Sequence, residues 1–128
     1  MVFKLINATD AKVGVNITLD GDYYTVRKMD VSKTGKHGHA KVRLEAVGII
    51  SGAKKVFVVP GHEKFEVPMV NKNKGQVLSI SGQASLMDLE TFETLEVDVP
   101  EELKSELKEN DNVEYWDIEG RKIIKRKL

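Results

Sequence analysis

Apolar and polar residues alternate with period two along this chain, in short runs broken by glycine, proline or aspartate, and that pattern limits its fold more than any other feature. Gly14-Val15-Asn16-Ile17-Thr18-Leu19, Ala40-Lys41-Val42-Arg43-Leu44-Glu45-Ala46-Val47 and Phe92-Glu93-Thr94-Leu95-Glu96-Val97 all carry it. Successive side chains of a strand point to opposite faces, so each run reads as a half-buried β-strand. Residues 22–31, 54–59, 76–80, 84–89, 113–118 and 121–125 add β-rich runs. Asp20-Gly21, Ser51-Gly52, Ser81-Gly82 and Glu119-Gly120 supply turns between them, because glycine accepts the positive φ that tight hairpins need. One segment breaks the pattern. Pro100 followed by Glu101 and Glu102, with Leu103 and Leu107 four apart, predicts a short amphipathic helix over residues 101–108.

The prediction is an all-β chain in two small units. Asn71-Lys72-Asn73-Lys74-Gly75 is polar throughout and marks the boundary, giving units 1–70 and 71–128. Five strands with an intervening helix suit an OB-fold barrel in the second unit. The first fits a small SH3-like barrel. With 41% apolar and only 6% aromatic residues, both cores must rest on Val, Ile and Leu. Phe92 is expected in the core. Of the neighbours Tyr115 and Trp116, one must face inward and the other outward as a possible stacking platform for bases; Trp116 is assigned to the core.

The absence of cysteine excludes disulfides, thiolate zinc sites and a cysteine nucleophile. No run approaches the roughly 20 apolar residues of a membrane helix. The apolar stretch after Met1 is too short for a signal peptide, so a soluble cytoplasmic chain is expected. Charge sums to zero but is segregated. Residues 27–55 carry eight basic residues against two acids, residues 86–119 carry thirteen acids against two lysines, and residues 121–128 carry five basic residues and no acid. Clustered cations attract phosphate even when the total vanishes.

Between the strands at 22–31 and 40–47 lies Ser32-Lys33-Thr34-Gly35-Lys36-His37-Gly38-His39, with no apolar residue and two glycines. It reads as an exposed loop at the end of a long hairpin. Lys36 between Gly35 and Gly38 is open to engulfment by a partner's pocket, or is plain solvated charge; residue types alone do not choose. A phosphate-binding P-loop needs an upstream glycine at fixed spacing, Ser or Thr after the lysine, and a helix. None is present. His37, His39 and His62 make a poor metal set without a nearby carboxylate, so no metal is expected. A lysine nucleophile needs desolvation that a polar loop does not give, so the chain is not read as an enzyme.

Residues 32–41 resemble, position for position, the hypusine loop of the translation initiation factor 5A family of archaea and eukaryotes. Gly75-Gln76-Val77-Leu78-Ser79-Ile80 and residues 86–95 are similar to that family's second domain. Eukaryotic members carry a longer N-terminal extension, so the resemblance is to the archaeal form, and Met29-Asp30-Val31 departs from the eukaryotic residues at that place. The resemblance implies an SH3-like domain joined to an OB-fold. It implies that Lys36 becomes hypusine, starting with aminobutyl transfer from spermidine by deoxyhypusine synthase. The loop residues Ser32, Lys33, Thr34, Gly35, His37, Gly38, His39 and Lys41 would be recognised by that enzyme. NAD and spermidine belong to the synthase, and no cofactor is expected here. The implied role is at the ribosomal exit site, where the modified side chain approaches peptidyl-tRNA and promotes peptide-bond formation at proline runs. Arg27, Lys33, Lys41 and Arg43 are candidates for rRNA phosphate contacts. A monomer is expected. The alternative is a general RNA-binding OB-fold protein that does not depend on Lys36.

Overall fold

The computed structural model describes residues 4–33 and 40–128, which form two compact units, Met1–Pro68 and Met69–Leu128. In the first, β1 (Lys4–Asn7), β2 (Asn16–Leu19), β3 (Asp22–Lys33), β4 (Ala40–Gly48), β5 (Lys54–Pro60) and β6 (Lys64–Val67) form one antiparallel sheet in the order β1-β6-β2-β3-β4-β5. A 3₁₀ turn, Ala8–Asp10, follows β1. Leu19 pairs with Asp22, and the two residues between them, Asp20 (φ 51°) and Gly21 (φ 77°), are both left-handed. That is the hairpin turn whose twist matches the strands it joins. The sheet curls around Ile17, Val26, Val42, Leu44, Ala46 and Phe65, with the Phe57 ring edge-on to Phe65 at 6.1 Å.

One irregularity sets which residues of β3 face that core. Val26 pairs with Ala46 and Lys28 with Glu45, so Arg27 is an extra residue in the ladder. A bulge of this kind resets the alternation. Met29, opposite Leu44, therefore packs against the core, while Lys28 faces outward beside Glu45.

The second unit contains β7 (Val70–Ser81), β8 (Gln83–Asp88), β9 (Thr94–Val97), α1 (Glu101–Lys104), β10 (Asn112–Ile118) and β11 (Arg121–Lys127), with strand order β11-β10-β7-β8-β9. The first part of β7 pairs with β10 and the last part with β8. Just past β9, the Asp98 amide donates to the Lys122 carbonyl (2.9 Å) and the Ile124 amide to the Asp98 carbonyl (3.0 Å). This parallel bridge closes the five strands into the OB barrel. Its core is Val77, Ala84, Leu86, Val97, Val113, Tyr115 and Ile124, with Leu103 and Leu107 packed against it.

Four local expectations are corrected here. The two compact units divide at Pro68 and Met69, and the polar run 71–75, read as the boundary, lies inside β7, where Gly75 is buried. A Cβ there would meet Leu86 Cδ1 at 3.3 Å and Tyr115 Cδ1 at 3.4 Å, so the missing side chain makes room for the core. The helix is one turn, Glu101–Lys104, shorter than 101–108. The chain is turned at Asn110 (φ 74°), and the Asp111 carboxylate accepts from the Lys108 amide (2.8 Å). Trp116 faces outward and Tyr115 is the core residue, because Tyr115 shares the inward parity of Val113. Phe92 is 69% exposed and left-handed (φ 62°), outside the strand it was assigned to.

Candidate functional site

The arm formed by β3 and β4 runs to its far end with Ser32 opposite Lys41 and Lys33 opposite Ala40. Thr34, Gly35, Lys36, His37, Gly38 and His39 lie outside the described residues. Their two flanking residues are thus paired across one antiparallel ladder. Ser32, Lys33 and Lys41 are exposed strand residues, so the strands reach two residues further into the predicted loop than the alternation indicated.

The four candidate phosphate contacts do not converge. Val42 and Leu44 are buried, so Lys41 and Arg43 project from the outer face of the arm. Lys33, opposite Ala40, belongs to the other face. Arg27 is exposed at the bulge. Arg43 is committed to its own strand, its Nη1 lying 2.9 Å from Glu45 Oε2. Lys54 Nζ stands 3.3 Å from Glu45 Oε1, and Lys28 Nζ 4.0 Å from Oε2. Arg43, then Lys54, hold the Glu45 carboxyl below the usual glutamate range. One acid therefore gathers three cations, and Lys41 remains the outer-face cation nearest Ala40. Sequence reasoning missed this hub, although alternation along β4 already places Glu45 on the same face as Arg43.

Two clusters in the second unit were also missed. The Asp88 carboxylate, in a residue 6% exposed, accepts the Glu90 amide (2.8 Å) and the Thr91 amide (2.9 Å) on Oδ1, and the Tyr115 hydroxyl on Oδ2. The Tyr115 hydroxyl first, then the Thr91 amide, hold Asp88 below the ordinary carboxylate range, whereas burial pushes the Tyr115 phenol up. The second cluster surrounds Trp116. Lys72 Nζ and Lys125 Nζ each lie 4.8 Å from the ring centroid, and the indole N–H donates to Glu114 Oε1 (2.9 Å). Glu114 also binds Arg126 (2.9 Å), and Lys127 stands 3.4 Å from Asp111. Arg126 and Lys127 of the basic C-terminal strand are thus matched by acids of their own unit.

Among the described residues no group of three or more His, Cys, Asp or Glu is placed to hold a metal, and no helix is long and apolar enough to cross a membrane. Residues 4–63 match the family model described as translation initiation factor 5A-like, N-terminal. Residues 69–127 match the model described as eukaryotic elongation factor 5A hypusine, DNA-binding OB fold. The chain is 43% identical over 120 residues to translation initiation factor 5A of Metallosphaera sedula, covering 91% of this chain and 92% of that one. It is 40% identical over 124 residues to translation initiation factor 5A of Methanothermobacter thermautotrophicus, covering 96% and 95%. The solved structure of eukaryotic translation initiation factor 5A from Methanococcus jannaschii superposes with a TM-score of 0.85 at 40% identity, over 100% of both chains.

Proposed function

Because the chain belongs to the translation initiation factor 5A family, we propose that Lys36 is its hypusine site and that the modified side chain acts on the ribosome. The supporting observation is the pairing of Lys33 with Ala40 at the far end of the arm. It brings the two ends of the 34–39 segment together on a scaffold fixed by the core residues Val42 and Leu44. Ser32, Lys33 and Lys41 are exposed at this end of the arm, where deoxyhypusine synthase would engage the chain to modify Lys36.

The chemistry of the modification explains the role. An aminobutyl extension lengthens a flexible cation and adds a second amine, giving a thin probe able to reach phosphates in a narrow RNA-lined space. Near the exit site such a probe would contact the acceptor end of peptidyl-tRNA and restrict its motion. Holding a reactant in place lowers the entropic part of the barrier, while the ribosome performs peptide-bond formation, above all at proline runs. Lys41, Lys33 and Arg27 supply sequence-independent phosphate contacts in this reading. Arg43 contributes less, because it must first leave Glu45. The relatives are named as translation factors, not enzymes, and the chain acts as a cytoplasmic monomer without a cofactor of its own.

Peptide mass spectrometry across residues 33–41 of protein from its native source tests the proposal. An aminobutyl addition on Lys36, with or without a hydroxyl, is the expected result. Unmodified Lys36 in translating cells overturns it.

A further inference from the structure

Four non-glycine residues among those described have left-handed φ: Asp20, Phe92, Asn110 and Glu119. Three are polar, as expected for turns open to water. Phe92 is the exception, and it is also the only exposed aromatic side chain among the described residues. Left-handed backbone costs a side chain with a Cβ about 1–2 kcal/mol, a cost glycine avoids. A ring that is 69% exposed recovers little of this by burial. The position therefore works against the stability of its own fold.

The turn that carries the ring is tightly built. Asp88 Oδ1 accepts the amides of Glu90 and Thr91, and the Asp88 carbonyl accepts the Phe92 amide (2.9 Å). The Asp88 amide in turn donates to the Glu93 carbonyl (2.9 Å). Through Tyr115, Asp88 ties the turn to the barrel core. The backbone that carries the ring is thus fixed, and the ring is exposed at a defined place on the turn. Aromatic residues, phenylalanine among them, are enriched at the cores of protein interfaces.

Charge selects the partner. Glu90 and Glu93 flank Phe92 and both are exposed, within a segment, 86–119, of thirteen acids and two lysines. Such a field repels a phosphate backbone and attracts a basic protein surface. We propose that Phe92 anchors a docking site for a basic protein of the ribosome, its ring filling an apolar pocket rimmed by Lys or Arg that meet Glu90 and Glu93. The inference rests on the ribosomal reading above and adds the contact made by the second unit.

Cosedimentation of the purified full-length protein with archaeal ribosomes tests it, comparing wild type, Phe92→Gly and Phe92→Tyr, with thermal unfolding of each in parallel. Phe92→Gly should bind about tenfold more weakly while unfolding at the same or a higher temperature; Phe92→Tyr should bind as wild type does. Benzoylphenylalanine introduced at position 92 should cross-link to a ribosomal protein. Undiminished binding by Phe92→Gly, or a cross-link confined to rRNA, overturns the docking site and leaves the ribosomal reading standing. Failure of the wild type to cosediment overturns that reading, and this proposal with it.

Discussion

Glu45 on the arm and Asp88 at the β8–β9 turn are both carboxylates ringed by donors, and they hold their surroundings by different physics. Glu45 faces solvent and gathers three long, flexible cations. Exposed pairs of this sort contribute little individually and weaken as salt rises. Asp88 is buried, and its partners are two backbone amides and one phenol in fixed positions. Such bonds cannot be replaced by water when one partner is lost. The arm that leads to Lys36 is therefore lightly constrained at its surface, whereas the turn that leads to Phe92 is locked into a core. Chemistry on the arm should be separable from stability, whereas loss of Asp88 should disturb both the stability of the second unit and the turn that carries Phe92.

The sharpest division is expected at Lys36 itself. Lys36→Arg keeps a positive charge and blocks the modification, so synthesis through proline runs should fall to the level seen without the factor, with an unchanged unfolding midpoint. Full activity of that variant in a reconstituted translation assay would sink the arm's assigned role. Asp88→Ala comes next and should act on stability. It leaves two amides and the Tyr115 hydroxyl without their acceptor, at a cost of about 2–4 kcal/mol in urea unfolding. A loss below about 0.5 kcal/mol, the level of an ordinary surface change, would erase the contrast with Glu45.

Acid should reveal the same residue. Asp88 is held below the ordinary carboxylate range in the folded state, so it binds a proton more readily when unfolded. Its contribution is present above the unfolded value near 3.8 and is lost as pH falls through the folded value. Unfolding followed from pH 6 down to pH 2 should therefore show a steeper loss for wild type than for Asp88→Asn. The smallest effect belongs to Glu45→Gln, a marginal loss of stability that shrinks further in high salt. A larger, salt-independent loss would mean that the arm is locked in the same manner as the turn.

Features of the fold that depend on neighbours in sequence were readable from the residues. Asp20-Gly21 and the alternation over 40–47 need only local rules, and the structure follows both. Features decided by cross-strand partners were not. Tyr115 shares the inward parity of Val113, but the acceptor that satisfies its buried hydroxyl is Asp88, 27 residues distant, which no local rule indicates. The run 71–75 reads as a boundary because its lysines and asparagines hide a strand whose one buried member, Gly75, has no side chain to announce it. Phe92 continues an apolar alternation yet sits in a turn, because Asp88 caps the amides before it. The segment 32–41 is read through its resemblance and not through its pattern, since glycine, histidine and lysine in a polar stretch specify no chemistry by themselves.

The pairing of β7 with both β8 and β10 also bears on the order in which the chain can fold as it is made. The six strands of the first sheet are all available once Val67 has been synthesised. The second barrel must wait for residues 112–118 to return to the start of β7, and for Ile124 to meet Asp98. Domains nearer the N-terminus fold first during synthesis. A nascent chain thus passes through a stage in which the unit bearing Lys36 has its full set of strands while its companion remains an unclosed ribbon.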